Sequence, residues 1–448
     1  MLLSRGDLDS ALLGTTSKLF IGHRKYYMDR FLRTCWFRKA TSTIEVTGKV
    51  NSFSSKDLCS AVSLFKESGS KKLNIDFSRV THAYPNGMLP LIASLESLRQ
   101  QGIEINAKLP QKDNVRRLFS NVNWAHHISP NQFAKSEAYH DRHLISRFFS
   151  SGSEQNSCVN DFMDVVLRNM PVPKDIVSGL EWSINEVTDN VLNHSESAFG
   201  GIVQASTYLK NNSINFAVAD SGQGILGSLK EGIPTLRTDL QAIGEAIKAG
   251  VTRNKDVGQG NGLAGTLSIT TLTGGSFDIT SGYGRMLCSN SETKRHERKS
   301  LQYYQGTFIA GQINITDDFS ISEALDFHNG VDYEPLNIID THYEMDDKDC
   351  LLLKMKDEST GFGTRHSGVQ IRTKIKNLLG AKENYPIIID WEGVPIISSS
   401  FADEVVGKLF LEMGAIAFSS RIRNVGMELL ITKLLDKAIA QRLTQEND

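Results

Sequence analysis

The fold is decided by WSINEVTDNVLNHS, residues 182–195, near the middle of a chain of 448 residues. In this stretch Glu186, Asn190 and His194 follow one another at intervals of four residues. On an α-helix such spacing brings the three polar side chains onto one face, one turn after another. The apolar residues between them supply packing contacts on the other faces. The sequence therefore predicts a helix over 174–195 with a polar site along one side.

An apolar strand that ends in an acidic turn comes next. Residues 217–225 read AVADSGQGI, in which Asp220 is followed by Gly222 and Gly224. An aspartate at a strand end can accept a hydrogen bond from an exocyclic amine such as that of adenine. Glycines just beyond it let the backbone approach a flat base or a phosphate closely. The turn is typical of a site that binds a nucleotide base, although a plain turn has the same composition.

A run of glycines opens a further predicted helix. Residues 258–263 read GQGNGL and contain Gly258, Gly260, Gly262 and Leu263. Glycine-rich turns at a helix start offer free N–H groups to phosphate oxygens. The glutamate and asparagine of the first stretch would supply a general base and an oxygen ligand for Mg²⁺. Each motif alone could be a polar helix face, a turn or a flexible loop, but their order and placement together indicate a nucleotide site.

The spacing excludes two common nucleotide-binding folds. The chain has no GxxxxGK[ST] motif, so it is not a P-loop NTPase. The dinucleotide-binding fingerprint requires a strand directly before its glycines, and no strand is predicted directly before the glycines at 258–262. A different nucleotide-binding architecture is therefore expected.

Together the motifs resemble the GHKL ATPase superfamily, whose Bergerat nucleotide-binding fold is shared by gyrase, MutL, sensor histidine kinases and anti-sigma serine kinases. Residues 186–190 are similar to the N box, 220–224 to the G1 box and 258–263 to the G2 box. The GTF sequence at 306–308 looks like the last box before the closing strand. The resemblance spans residues 155–315.

This resemblance implies ATP and Mg²⁺ as cofactors and gives roles to single residues. Asn190 would ligate Mg²⁺, Glu186 would act as the general base and Asp220 would read adenine. His194, Thr307, Leu263 and the glycines of the two turns would complete the cofactor-binding set.

The same resemblance makes the segment 226–257 a lid that closes over ATP. Arg253 and Lys255 would be the cations nearest to the phosphates, unless they are simply solvated. Glycines punctuate the segment, and loops of this length are often functional lids.

The neighbouring segments select a branch of the superfamily. A sensor histidine kinase needs a phosphorylatable histidine on a preceding helix, and His143 lacks the acid and the proline that should follow it. Gyrase and MutL need a transducer domain after the ATPase domain, whereas the segment that follows here is acidic. Glu186, Asn190 and His194 match the E-x3-N-x3-H pattern of anti-sigma serine kinases, so that branch is expected.

The two ends of the chain contain what reads as a repeated unit. Residues 74–95 (NIDFSRVTHAYPNGMLPLIASL) align without a gap with residues 388–409 (IIDWEGVPIISSSFADEVVGKL). The matching pairs are Asp76 with Asp390, Phe77 with Trp391, Val80 with Val394, Leu91 with Val405 and Leu95 with Leu409. The pattern predicts a buried strand, a turn and a packed helix in both places, although two generic units could match by chance.

The unit resembles the STAS fold of bacterial anti-sigma-factor antagonists, in which a D-S-S-G-L turn starts a helix and its second serine accepts a phosphate. Ser400 lies ten residues after Asp390, so the resemblance implies that Ser400 is a phosphoacceptor. The N-terminal copy has Asn86 at that position. The alternative is that the serines at 398–400 only cap the helix, because acids one turn later would repel a phosphate.

Composition limits the class of protein. The chain has 49 basic and 51 acidic residues, and a net charge of −2 excludes a globally basic nucleic-acid coat. No run of 18 apolar residues is present, and the start MLLSRGDLDSALLG is not a secretory signal. The five cysteines show neither CxxC nor zinc-ligand spacing, which favours a reducing cytoplasm and no structural metal.

The sequence therefore predicts an α/β protein in which an α+β sandwich of the Bergerat type is flanked by two STAS-like α/β domains. The predicted parts are a basic N-terminal segment over 1–40, a STAS-like domain over 41–130, a GHKL ATP-binding domain over 140–315, an acidic connector over 316–349 and a C-terminal STAS-like domain over 350–448. The KRHERKS run at 294–300 is expected to be a solvated hairpin tip, and the connector to be exposed.

The expected function is that of a cytoplasmic, bacterial-type switch that binds Mg-ATP and either hydrolyses it or phosphorylates a serine or threonine of a STAS-type partner. Protein partners of the STAS or sigma-regulator type are expected, and a homodimer is compatible with this function. A membrane is not expected, and nucleic acid is not the favoured partner. Two alternatives remain open: an ATP-dependent interaction module without turnover, and a nucleic-acid-associated defence ATPase, which rests only on the basic residues of 18–40.

Overall fold

Three β-sheets and the helices between them make up the structure, a computed structural model that describes residues 34–136, 145–250, 260–326, 333–345, 348–358 and 361–445. Parallel strand pairs occur towards both ends of the chain, and antiparallel pairs form the middle. The α/β class predicted from the sequence is confirmed. Outside the described residues lie most of the basic segment, His143, Arg253, Lys255 and Gly258. No helix within the described ranges is both long and apolar enough to cross a membrane.

The N-terminal domain is a mixed four-stranded sheet with its helices. The strands are β1 (Cys35–Arg38), β2 (Thr43–Val50), β3 (Lys72–Ala83) and β4 (Glu104–Lys108). The helices are α1 (Ser55–Glu67), α2 (Pro85–Gln100), α3 (Asp113–Asn121) and α4 (Trp124–Ile128). The strands lie side by side in chain order, with β1 antiparallel to β2 and the other pairs parallel.

The central domain is built on a seven-stranded antiparallel sheet. Its strands are β5 (Arg147–Phe149), β6 (Gly201–Tyr208), β7 (Ser213–Asp220), β8 (Ser276–Gly282), β9 (Gly284–Ser289), β10 (Thr293–Glu297) and β11 (Tyr304–Asn314). Across the sheet the order is β10-β9-β8-β11-β7-β6-β5. Because β11 lies between β8 and β7, its first residues are next to the end of β7, where Asp220 is found.

Helices cover one face of this sheet. They are α5 (Gly152–Asn169), α6 (Lys174–His194), α7 (Gly224–Lys230), α8 (Asp239–Ala246), α9 (Gly262–Leu272) and α10 (Ile321–Ala324). The prolines Pro171 and Pro173 separate α5 from α6, as the sequence predicts. Buried apolar side chains of α5, α6 and α9 join the sheet in one core.

The N-terminal domain covers the opposite face of the central sheet. Helix α2 packs on β6, β7 and β11, where Leu91 and Ile92 share a core with Ala217, Ala219 and Phe308. Strands β6 and β7 are therefore buried on both sides, unlike strands of an antiparallel sheet with one solvated face. The same position explains why α2 is apolar almost all the way round.

The C-terminal domain is a parallel three-stranded sheet with helices. Its strands, in spatial order, are β12 (Leu351–Lys354), β13 (Ile387–Asp390) and β14 (Ile422–Val425). Its helices are α11 (Met355–Glu358), α12 (Arg365–Ala381), α13 (Ser399–Ala402), α14 (Lys408–Met413), α15 (Ala415–Arg421) and α16 (Leu429–Gln445). A π-helical turn, Asp403–Gly407, joins α13 to α14. Helix α12 packs against α5 of the central domain.

The two predicted copies of the repeat share a buried strand followed by a packed helix, but the expected turn between strand and helix is found only in the C-terminal copy. Both members of each aligned apolar pair are buried: Phe77 and Trp391, Val80 and Val394, Leu91 and Val405, Leu95 and Leu409. The aligned aspartates make the same local hydrogen bond, because Asp76 Oδ1 accepts from the Ser78 N–H at 2.8 Å and Asp390 Oδ1 from the Glu392 N–H at 3.0 Å. The strands of the two copies differ in length, since β3 continues to Ala83 whereas β13 ends at the aspartate.

The predicted hairpin tip at 294–300 has more structure than expected. Along the chain, two further strands, β9 and β10, lie between β8 and β11. Most of the polar run belongs to β10, which pairs with β9 as an exposed edge strand. Arg298 is half-buried, and its Nη2 donates to Ser55 Oγ at 2.9 Å. The expectation of solvent exposure is thus correct for 294–297, 299 and 300, although 294–297 form a strand rather than a tip, and it is wrong for Arg298, which joins the central domain to the N-terminal domain.

The acidic connector predicted over 316–349 is only partly exposed. Its buried residues include Phe319, Ile321, Ile338, Ile339 and Tyr343. The Ile338 N–H donates to Glu181 Oε2 at 2.7 Å, which ties the connector to α6. Buried apolar side chains lie among the acidic ones in this segment, so the number of acidic residues alone does not predict how exposed the segment is.

Much of the segment 226–257 is helical and packed, unlike the long lid loop expected from the sequence. Helices α7 and α8 lie within it, and Ala242 and Ile243 of α8 are fully buried. Thr238 begins α8 with a capping box that includes Gln241. The packed part of the segment therefore reaches Ala246, and residues 251–259 lie outside the described part of the chain.

Candidate functional site

Helix α6 carries Glu186, Asn190 and His194 on successive turns, and all three are partly buried. The start of α9 approaches this polar face so closely that a Cβ on Gly262 would overlap the Glu186 carboxylate. Any larger residue at this position would force the Glu186 side chain to move. The first and third motifs, which are far apart in the sequence, are therefore in contact.

The turn after β7 meets the end of the same helix. The Gln223 N–H donates to Ser195 O at 2.8 Å, and Gln223 Nε2 donates to His194 O at 3.0 Å. A Cβ on Gly222 would overlap the Ser195 carbonyl. The second motif therefore also lies against α6.

Asp220 ends β7 with a side chain that is almost completely buried; 2% of the residue is exposed. Its Oδ1 accepts from the Gly222 N–H at 2.8 Å, and the Thr307 N–H also donates to the carboxylate. Burial raises the pKa of Asp220 to about 7, and these hydrogen bonds limit the rise. The result is a fixed acceptor at the strand end, beside the last predicted box.

Ser281 connects the second motif to the last box and was not predicted from the sequence. Its Oγ accepts from the Ile225 N–H at 2.9 Å and donates to Gly306 O at 3.0 Å. Gly224, with φ of +73°, brings its backbone against the same hydroxyl. Ser281 lies in β8 without a motif around it, so only the three-dimensional arrangement identifies it.

The remaining glycine turn agrees with its predicted placement where it is described. Gly260 has φ of +74°, the left-handed region that favours glycine. Asn261 Oδ1 accepts from the Gly250 N–H at 2.8 Å, which holds the turn. Leu263, in the first turn of α9, packs on the core of the central domain.

The environment of Glu186 suits a general base. Burial raises the pKa of Glu186 to about 6, and the nearby Asp189 carboxylate adds to the rise. Asp189 accepts from Gln155 Nε2 at 2.8 Å, and the same amide donates to Thr188 Oγ1 at 2.9 Å. A carboxyl with a pKa near 6 is mostly ionised at neutral pH and still basic. Neither Asp189 nor Gln155 was singled out from the sequence, although Asp189 follows Glu186 at helical spacing.

A metal at this site would need ligands beyond the protein. In the part of the chain that the structure describes, no group of three or more His, Cys, Asp and Glu side chains could hold a metal ion. Mg²⁺ commonly takes one or two protein ligands together with waters and substrate phosphates. Asn190, one turn from Glu186, fits a Mg²⁺ ion that arrives with a phosphate ligand.

Ser400 lies in the C-terminal domain, apart from these motifs. The helix cap is Ser398, whose Oγ accepts from the Phe401 N–H at 3.1 Å, while Ser400 is in the first turn. Asp403 accepts two hydrogen bonds of 2.7 Å from Arg442. Glu404, which is buried, pairs with Arg365 at 2.8 Å. The acids expected to repel a phosphate on Ser400 are therefore neutralised by partners.

Comparison with known proteins gives one family match. Residues 367–429 match the model of a STAS-like domain of unknown function (DUF4325). The match begins in α12, includes β13, α13 and β14, and ends at the first residue of α16. The chain thus contains a STAS-like domain near its C-terminus, as the sequence resemblance predicts for that end. No curated protein and no solved structure matches the chain significantly.

Proposed function

We propose that the central domain is an ATP-binding domain of the GHKL type and that the whole chain is a nucleotide-controlled switch. The observation that carries this proposal is the meeting of separate motifs at one place. Gly262 lies against the Glu186 carboxylate, and Gly222 lies against Ser195 at the end of α6. The Asp220 carboxylate accepts a hydrogen bond from the Thr307 N–H. Close backbone approach also occurs at glycines elsewhere in the fold, such as Gly87 and Gly275; the proposal rests on three separated motifs converging on α6 and β7, an arrangement that suits a flat base and a phosphate chain.

Each group has a role that its chemistry supports. Asp220 accepts a hydrogen bond from the exocyclic amine of adenine. Backbone N–H groups at the start of α9 bind phosphate oxygens. Asn190 supplies an oxygen to Mg²⁺, and Glu186 takes a proton from the attacking oxygen.

The reaction is hydrolysis of ATP or transfer of its γ-phosphate to a serine or threonine hydroxyl. Glu186 would polarise the attacking oxygen in either case, since water and a hydroxyl group present the same proton to a base. Mg²⁺ and the N–H groups would offset the charge that develops on the phosphate oxygens.

The acceptor, if transfer occurs, is a STAS-type domain, with Ser400 as the candidate residue. Helix α13 packs mainly on α12, α16 and the turn 403–407, which are elements of its own domain. Transfer to Ser400 would therefore run between two copies of the chain, as in a homodimer, or to a separate STAS or sigma-regulator partner in the bacterial cytoplasm.

Incubation of the purified chain with γ-labelled Mg-ATP tests the proposal. Label released as free phosphate indicates an ATPase, and label on the protein that persists in Ser400→Ala indicates another acceptor. Label on neither, with tight ATP binding by calorimetry, supports the alternative of an interaction module without turnover. Failure to bind ATP at all would refute the proposed function.

The nucleic-acid alternative rests on the basic residues of 18–40, most of which lie outside the described residues. Filter binding of DNA and RNA at increasing salt would test it, because phosphate contacts give a steep salt dependence.

A further inference from the structure

The candidate adenine-reading turn lies directly on the N-terminal domain. Ser221, the residue after Asp220, is buried, and its Oγ donates to Ala93 O of α2 at 3.2 Å. Gln305 Nε2 donates to Ser221 O at 3.4 Å, and Lys66 Nζ of α1 donates to Gln305 Oε1 at 3.3 Å. Polar contacts thus run from α1 and α2 of the N-terminal domain to the turn that follows Asp220.

Tyr304 makes the most direct of these connections. It is the first residue of β11, it is 1% exposed, and its hydroxyl donates to Asp220 O at 2.8 Å. Its ring belongs to the core of the N-terminal domain and lines a small crevice with Leu58 and Cys59 of α1 and Leu91 of α2. One side chain therefore touches the two helices with its ring and Asp220 with its hydroxyl.

The backbone next to Tyr304 also contacts Asp220. The register of β11 with β8 shifts between Tyr304 and Thr307, so the residues between them leave the regular ladder. Gly306, with φ of +97°, turns there so tightly that a Cβ would overlap Asp220 O. The Asp220 carbonyl is held by the tyrosine on one side and by this bulge on the other.

We propose that Tyr304 is a positioning residue, which fixes Asp220 for recognition of the base and couples that recognition to the docking of the N-terminal domain. A hydrogen bond to the backbone of Asp220 restricts the direction in which its carboxylate points. A base that donates to this carboxylate pulls on the same backbone, and Tyr304 passes that change to α1 and α2. This inference rests on the proposed function, because it takes adenine as the base.

The test compares Tyr304→Phe with wild type, with Asp220→Asn and with the control Tyr343→Phe. Tyr343 is also buried and its hydroxyl also donates a hydrogen bond, but to Glu358 in the C-terminal part of the chain. Calorimetry gives the ratio of ATP to GTP affinity, and amide hydrogen exchange gives the protection of residues 85–100 with and without ATP. General destabilisation would weaken both nucleotides equally, so the ratio reports on positioning.

The expected result is a fall of about fivefold in the ATP:GTP ratio for Tyr304→Phe, the usual value of one neutral hydrogen bond. Tyr343→Phe keeps the ratio of wild type. ATP protects residues 85–100 in wild type and in the control, and this protection is lost in Tyr304→Phe. If Tyr304→Phe does not fold, Ser221→Ala replaces it, and ATP-linked protection of α2 should then fall.

Different outcomes refute different claims. Three results would each overturn the inference: an unchanged ATP:GTP affinity ratio in Tyr304→Phe, equal affinity of wild type for ATP and GTP, or amide hydrogen exchange in α2 that is the same with and without ATP. If Asp220→Asn binds ATP as wild type does, or wild type does not bind ATP, the proposed function itself fails.

Discussion

Asp220 is a residue at which binding and stability oppose each other. Burial raises its pKa from 3.8 to about 7. A group whose pKa is higher in the folded chain stabilises folding when protonated, so this contribution is present below pH 3.8 and is lost as the pH rises through about 7. At higher pH the buried carboxylate therefore costs stability. A ligand that donates a hydrogen bond to the carboxylate would offset that cost.

Asp220→Asn should raise the free energy of unfolding at pH 8 by roughly 1–4 kcal/mol, because a neutral amide avoids burial of a charge. The gain should shrink at pH 4, where the carboxyl is mostly protonated, and ATP affinity should fall. Urea denaturation at both pH values measures the first effect. Asp76→Asn, at the partly exposed strand position of the N-terminal copy, is the control, with an expected change below about 0.5 kcal/mol. Lower stability of Asp220→Asn at pH 8 would contradict this explanation.

Glu186 and Asn190 should give opposite patterns of loss. Glu186→Ala should keep Mg-ATP binding and lose turnover by roughly 10²–10⁴, the usual value of a general base. Asn190→Ala should weaken Mg-ATP binding by about tenfold or more, because the metal loses its protein ligand.

Turnover of wild type should fall as the pH drops below about 6, since the pKa of Glu186 is raised to about 6 and the base must be ionised. Turnover of Glu186→Ala within about twofold of wild type would make Glu186 structural.

At the scale of elements, the sequence predicts best where periodicity and breakers agree. Helix α6 was predicted over 174–195 and is Lys174–His194, because two prolines precede it and its polar residues recur at every turn. Strand β10 was not predicted, because every side chain of this edge strand is exposed and the usual alternation is missing. The burial of Arg298 depends on Ser55, which is far away in the sequence, so no local pattern could reveal it.

The start of α9 offers a prediction of its own. Gly262→Ala should reduce ATP affinity, because the added methyl group would overlap the Glu186 carboxylate and force that side chain to move at the start of α9. Gly244→Ala is the matched control, since nothing lies within 4 Å of a Cβ at this position in α8. The control should bind ATP normally and be equally stable or slightly more so. Equal ATP affinity of the two variants would exclude close packing at Gly262 as a requirement.

At the scale of the whole molecule, the three domains share their cores. Trp124 Nε1 of the N-terminal domain donates to Gln204 Oε1 of β6 at 2.7 Å. On the other side, Lys374 of α12 is fully buried and pairs with Asp164 of α5 at 2.5 Å. The sequence indicated three domains and the type of the last one, but not their docking, because each contact joins residues that no local pattern relates.

Asn377 links the C-terminal and central domains through three hydrogen bonds. Its Oδ1 accepts from the Val172 N–H at 3.0 Å, and its Nδ2 donates to Leu167 O at 2.7 Å and to Met170 O at 2.9 Å. These backbone groups belong to the last turn of α5 (Leu167) and to the turn between α5 and α6 (Met170 and Val172). Their hydrogen-bond partner is therefore a side chain of another domain.

Asn377→Ala should therefore lower the free energy of unfolding by about 2–4 kcal/mol, because it leaves buried backbone groups without partners. Lys376→Ala, which removes an exposed ion pair with Glu412, should cost less than about 1 kcal/mol. Calorimetry should show a single transition for wild type, since the cores are shared. Separate transitions for the C-terminal and central domains in wild type would contradict this view.

The position of Asn377 also has a consequence for how the chain is made. The ribosome delivers the turn between α5 and α6 early, but its partner follows 205 residues after Val172. At 5–20 residues per second, synthesis leaves this turn incomplete for about 10–40 s. During that time the side of α5 that α12 later covers stays open to water and to other nascent chains. We therefore expect the chain to depend on chaperones during translation, and chains that terminate before Asn377 to be removed by proteases.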